Sequence, residues 1–121
     1  MHVYVLEHLH NPTVAMSEIY RVLKPGGYML GVVPFIHPYH ARQDGYRDYW
    51  RFSQDGLKVL CNRFQEMELF KIGRYFRALM SFLPFLWRFK KILERTAYIL
   101  DRIFIKDSRN TTAGYIIFAK K

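Results

Sequence analysis

The chain has 121 residues, half of them hydrophobic and 17% aromatic, which suits one domain with a packed core and excludes wholesale disorder. A single cysteine excludes an intrachain disulfide, and no stretch reads as a charged, apolar, cleavable secretory leader, so a reducing, cytoplasmic setting is expected. The net charge of +9 is uneven: Lys71 to Lys106 holds nine Lys and Arg against Glu94 and Asp101, a net +7, which fits either an anionic neighbour or a solvated helix face.

Met1 to Leu6 is a short β-branched and aromatic run without clean alternation, the pattern of a buried strand. Asn11 is a good helix N-cap, and Pro12 suits the first helical position, where its missing N–H costs nothing. Val14, Ala15, Ile19, Val22 and Leu23 recur at helical spacing and predict one apolar stripe. That helix should stop before Pro25, with Gly26 and Gly27 free to take a positive-φ turn. Tyr28 to Val33 is a second buried-type strand, ended by Pro34. Strand, helix and strand of these lengths make a βαβ unit with parallel pairing.

Phe35 to Phe52 has neither period and is crowded with His37, His40, Asp44, Tyr46, Asp48, Tyr49, Trp50 and Arg51, a composition more typical of a functional loop than an idle one. Ser53 caps a helix expected to run to about Arg63, with Leu57, Leu60 and Phe64 inward. Glu66 to Ile72 and Gly114 to Ala119 read as the last two strands.

Between those strands lies Gly73 to Ala113, far longer than a hairpin needs. Tyr75 to Leu83 reads as a short helix broken at Pro84. On a helical wheel of Leu86 to Ile105, at about 100° per residue, one side carries Leu86, Phe89, Ile92, Leu93, Ala97, Ile99, Leu100, Ile103 and Phe104. Arg88, Lys91, Arg95 and Arg102 fall opposite, with Trp87 and Tyr98. Neither apolar run reaches the roughly 18 residues that span a bilayer.

Several of these segments carry a family resemblance. VLEHLHNPTVAMSEIYRVLKPGG, from Val5 to Gly27, resembles class I S-adenosylmethionine-dependent methyltransferases of the type 11-like, small-molecule branch that includes ubiquinone and menaquinone methyltransferases. HPYHARQDGYRDYWRF, from His37 to Phe52, is similar to the "H…DYWRF" loop of a bacterial subgroup associated with glycan and lipid modification. GYIIFAKK is similar to that family's seventh strand.

The resemblance implies an α/β chain: the C-terminal half of a Rossmann-like methyltransferase sheet, strands 4-5-7-6, with residues 73–113 as a helical insertion between the last two strands. It implies S-adenosylmethionine as cofactor. The family's main cofactor elements, a Gly-rich turn, a ribose-binding acid and the residues that hold adenine, have no match here, so the chain alone is expected to be inactive. The strand beginning the chain would then expose an edge open to self-association.

Site expectations follow from position. Ligands of open α/β sheets bind beyond the carboxyl ends of the strands, which singles out Tyr4, Glu7 and His8 for the cofactor. His8 is also the best candidate to act at the acceptor. The alternative is that Glu7 and His8 only cap the next helix. In the following loop His37, His40, Tyr49, Trp50 and Arg51 are candidates for an acceptor pocket, with Asp48 as a candidate base. The alternative packs the aromatics on the sheet and pairs Asp48 with Arg51. The spacing of His2, His8, His10, His37 and His40 matches no tetrahedral metal pattern, and no metal is expected.

Three functions compete. The first is methyl transfer to a small, lipid- or sugar-linked acceptor. The second is a non-enzymatic membrane module in which helix 86–105 meets anionic lipid at the inner membrane face through Arg88, Lys91, Arg95 and Arg102; the alternative reading of the same helix is a lid on the sheet or on a partner chain. Nucleic-acid binding ranks last, since charge alone favours it.

Overall fold

The computed structural model describes residues 2–3, 5–42, 45–80, 82–83, 88–104 and 111–121. In chain order these form β1 (His2–Val3), a single 3-10 turn (Leu6–His8), α1 (Pro12–Val22), β2 (Tyr28–Pro34), α2 (Gln54–Leu60), β3 (Glu66–Ile72), α3 (Tyr75–Met80), α4 (Lys90–Phe104) and β4 (Gly114–Lys120).

The sheet runs β1-β2-β4-β3. The β1 and β2 strands pair in parallel, His2 beside Leu30, and the other two pairings are antiparallel. The parallel pair joined by α1 is the βαβ unit expected from the sequence. The first strand is shorter than the expected Met1 to Leu6: at Val5 the backbone turns to φ −138°, ψ −14°, and Leu6 enters the 3-10 turn. That turn carries Glu7 and His8 across the carboxyl end of the parallel pair.

Helix α1 starts as its sequence predicts, with the Asn11 side chain accepting from Val14 N–H at 3.2 Å and Pro12 at its first position. Its buried face differs from the expected stripe. Met16 and Ile19 are buried, whereas Val14 and Val22 are each 58% exposed. Of the two glycines that follow α1, Gly26 and Gly27, only Gly26 takes a positive φ, at 72°. Gly27 is required for another reason, because a Cβ there would lie 2.8 Å from Lys24 O. Ser53 caps α2 through Gly56 N–H at 3.1 Å, and the helix stops at Leu60, short of Arg63.

The register places Met29, Ala119 and Met67 abreast, and likewise Gly31, Ile117 and Leu69. These residues share the face that packs on Met16 and Ile19 of α1 and on Leu57, Cys61 and Phe64 from α2 and the turn after it. Leu6, Met29, Leu57 and Ile117 are fully buried there, each contributing about 1.5–3 kcal/mol by leaving water. The opposite face is only partly covered, contrary to the expectation of strands buried on both sides. Tyr28, Leu30, Phe70 and Phe118 remain exposed on it, since α3 and α4 approach the sheet only near Val32 and Ile72.

Helices α3 and α4 pack together as a hairpin. The buried Asp101 of α4 accepts from Phe76 N–H at 2.8 Å and Arg77 N–H at 3.4 Å, satisfying donors in the first turn of α3. The apolar side of α4 is split. Ala97 is buried and Leu93 and Leu100 are half-buried, while Ile92, Ile99, Ile103 and Phe104, with Phe89 just before the helix, face solvent. Leu86, Trp87 and Ile105 lie outside the described residues, and no helix among the described residues is long and apolar enough to cross a membrane.

Candidate functional site

A cavity of about 460 Å³ opens at the carboxyl end of β2, between the sheet and the helical hairpin. Its sheet side is formed by Val32, Val33 and Pro34 with Glu7, His37 and His40, and its helical side by Arg77, Met80, Leu93 and Ala97. A largely apolar concavity with a few convergent polar groups is the usual form of a small-molecule site, and roughly 300–1,000 Å³ is the usual size.

The loop after β2 is held against the 3-10 turn by its backbone. Tyr49 N–H and Trp50 N–H both donate to Glu7 O, at 2.8 and 3.2 Å, and Trp50 Nε1 donates to Leu9 O at 2.8 Å. Tyr49 packs edge-on against His10. Tyr49 and Trp50 thus hold this loop against the turn, and neither is among the residues that line the cavity. Among the loop's described aromatic residues the buried one is Phe52, whose N–H donates to Pro34 O at 3.0 Å.

Arg51 turns inward to the loop. Its guanidinium reaches Asp48 Oδ1 at 2.5 Å and Oδ2 at 2.7 Å, and donates to the carbonyls of His37, Pro38 and Trp50. All five of its N–H donors have acceptors, so none remains for an anionic substrate group. The Asp48 side chain is fully buried, and Oδ2 also accepts from His40 N–H at 2.9 Å. The hydrogen bonds from Arg51 hold this carboxyl far below the usual carboxylate range. Such a carboxylate is a poor proton acceptor, and its hydrogen bonds to Arg51 and to His40 N–H hold the loop.

His8, Glu7, His37 and His40 do converge, across 32 positions between His8 and His40. His8 Nδ1 bonds to Arg47 O, and its ring lies 3.9 Å from that of Tyr46, centroid to centroid. His8 Nε2 and His40 Nε2 are 3.2 Å apart, and the His37 ring is 4.8 Å from that of His40. Glu7 is 6% exposed, and its Oε2 has no hydrogen-bond partner. Tyr4, the remaining cofactor candidate, lies outside the described residues.

Sequence reasoning missed Arg77, Met80, Leu93 and Ala97 as cavity residues. Leu93 and Ala97 fell on the apolar side of the wheel, but nothing in the sequence said that this side faces the sheet's carboxyl end. A cradle for S-adenosylmethionine is not complete among the described residues. The glycines with positive φ are Gly26, Gly45 and Gly73, and none forms a turn between a parallel strand and a helix N-terminus at the cavity.

Residues 2–79 match a family model described as a methyltransferase domain. No curated protein matches the chain.

Proposed function

The chain belongs to the methyltransferase domain family, and from that premise we propose that its residues form the acceptor side of a small-molecule methyltransferase. The observation that carries this reading is the cavity bounded by Glu7, His37, His40 and the α3–α4 hairpin. The strand order β1-β2-β4-β3 supports it, as it is the order expected of the family's strands 4-5-7-6, and α3 and α4 would belong to a helical insertion between the last two of them. S-adenosylmethionine would supply the methyl group. Since its cradle is not complete here, the isolated 121-residue chain is proposed to be inactive.

Within the cavity, Met80, Leu93, Ala97 and Val32 would hold the apolar body of an acceptor such as a lipid- or sugar-linked ring. His37 and His40 would meet its polar edge, and the loop clamped by Asp48 and Arg51 fixes where those imidazoles sit. Saturation-transfer NMR with a short-chain hydroquinone and an octyl glucoside as probes tests this. At least one should bind, and Ala97→Trp, which fills the cavity, should abolish the signal. Failure of both probes with the wild-type chain defeats the reading.

A second reading, a membrane-associating module that needs no catalysis, is favoured by the outer side of α4. Phe89, Ile92, Ile99 and Ile103 are between 47% and 66% exposed, and exposed Arg88, Lys91, Arg95 and Arg102 flank them. An anionic lipid surface matches both the apolar strip and the charge. Co-sedimentation with phosphatidylglycerol vesicles should be salt-sensitive and lost in Ile92→Asp/Ile103→Asp. A chain that stays in the supernatant at low salt rejects this reading.

A further inference from the structure

We propose that Glu7, His8 and His40 form a binding site for a divalent transition-metal ion of the zinc type, an inference that goes beyond the acceptor-side reading and does not depend on it. One ligand atom from each of the three residues lies within 4.8 Å of the others. The argument starts with the far side of each imidazole. His8 Nδ1 bonds to a backbone carbonyl, that of Arg47, which only accepts. Therefore Nδ1 carries the proton. His40 Nδ1 faces Pro38 O at 3.2 Å and the Asp48 carboxylate at 3.2 Å, again acceptors only.

With Nδ1 of each ring committed to an acceptor, the Nε2 atoms are left to face each other at 3.2 Å. Two bare lone pairs at that distance repel, so a proton or a metal cation must join them, and we infer the metal. Metal–nitrogen bonds of about 2.0–2.1 Å at a tetrahedral angle place two ligand nitrogens about 3.3–3.4 Å apart, close to the separation seen. Imidazoles whose Nδ1–H is held by a carbonyl or carboxylate are the form in which histidine binds metal.

Glu7 supplies the third, independent sign. Its carboxylate is buried, its Oε1 lies 3.7 Å from His8 Nε2, and its Oε2 has no partner. A buried carboxylate with one oxygen near an imidazole nitrogen and the other without a partner is what a cation would satisfy. Glu7 and His40 also line the cavity, so an ion here keeps room for a ligand from that side. Two His and one carboxylate with an open position is a known donor set for catalytic zinc and related ions. Chain spacing concealed it, because the fold brings His40 back to His8 from 32 residues away.

The test is titration of the full 121-residue chain with Zn²⁺ by calorimetry and with Co²⁺ by visible absorption. One equivalent should bind, with an intense tetrahedral-type cobalt band. His8→Ala and His40→Ala should each weaken binding at least about tenfold, while His10→Ala should bind as the wild type does. If the alanine variants fail to fold, nitrogen-15 NMR of the wild-type histidines decides: Nε2 of both His8 and His40 should shift with Zn²⁺ while Nδ1 stays protonated. No binding, binding that survives in folded His8→Ala/His40→Ala, or unmoved Nε2 signals would overturn the proposal and leave a shared proton as the link between the rings.

Discussion

Arg51 grips both oxygens of Asp48, at 2.5 and 2.7 Å, and spends its other donors on the carbonyls of His37, Pro38 and Trp50. One guanidinium thus ties together both ends of the loop that presents His37 and His40. Arg51→Ala leaves the buried Asp48 carboxylate without its counter-charge. Breaking a buried pair in this way costs about 3–5 kcal/mol, and the partial exposure of Arg51 lowers the expectation to about 2–4 kcal/mol. Arg51→Lys should recover only part, since an ammonium cannot reproduce the two-point fork. Urea unfolding of the three proteins measures this; equal midpoints for wild type and Arg51→Lys would show that the fork contributes nothing.

Asp101 governs the α3–α4 hairpin more than the sheet. Removing its acceptor in Asp101→Ala should cost about 1–2 kcal/mol, as loss of a helix cap does. Asp101→Asn, which keeps a carbonyl oxygen, should cost less. Hydrogen exchange should accelerate in α3 and α4 while β2 and β4 keep their protection. Uniform acceleration through the whole chain would instead tie the hairpin to the global unfolding unit.

Burial pushes the Cys61 thiol up to about 11, so at pH 8 its alkylation by iodoacetamide should be about a hundredfold or more slower than that of a free thiol. The sign of the linkage is fixed. The folded value lies above the unfolded value of about 8.5, so the stabilising contribution is complete below about 8.5 and is lost as the pH rises towards 11. Cys61→Ala should flatten that alkaline fall. An alkylation rate equal to that of the urea-unfolded chain would contradict the burial.

The two glycines after α1 separate backbone strain from steric clash. At Gly26 an added Cβ meets nothing within 4 Å, so Gly26→Ala should cost only the positive-φ penalty, about 1–2 kcal/mol. At Gly27 the Cβ lies 2.8 Å from Lys24 O, the acceptor of the Gly27 N–H. Gly27→Ala must displace that turn and should cost more, up to about 3 kcal/mol. Thermal unfolding of both variants gives the order, and a reversed order would refute the assignment of causes.

Local chemistry was legible where one residue decides a local geometry. Asn11, Pro12 and Ser53 start their helices as their side chains require, and the βαβ unit follows from two apolar runs around one amphipathic segment. What the sequence concealed depends on the direction of side chains in a loop without a period. Arg51 could face a ligand or turn inward to Asp48, and only the carbonyls of a folded loop decide between them. Val14 and Val22 joined the apolar stripe by spacing, yet α1 buries Met16 beside Ile19 and leaves both valines exposed, because spacing defines a stripe without saying which edge of it meets the sheet. The approach of His8 to His40, and of Asp101 to the start of α3, are long-range contacts that no spacing rule reaches.

The central claim is that these residues hold the acceptor side of a methyltransferase and not the cofactor cradle. Calorimetric titration of the 121-residue chain with S-adenosylhomocysteine tests it most directly. No saturable binding in the micromolar range is predicted, whereas one-to-one binding with a micromolar Kd would contradict it.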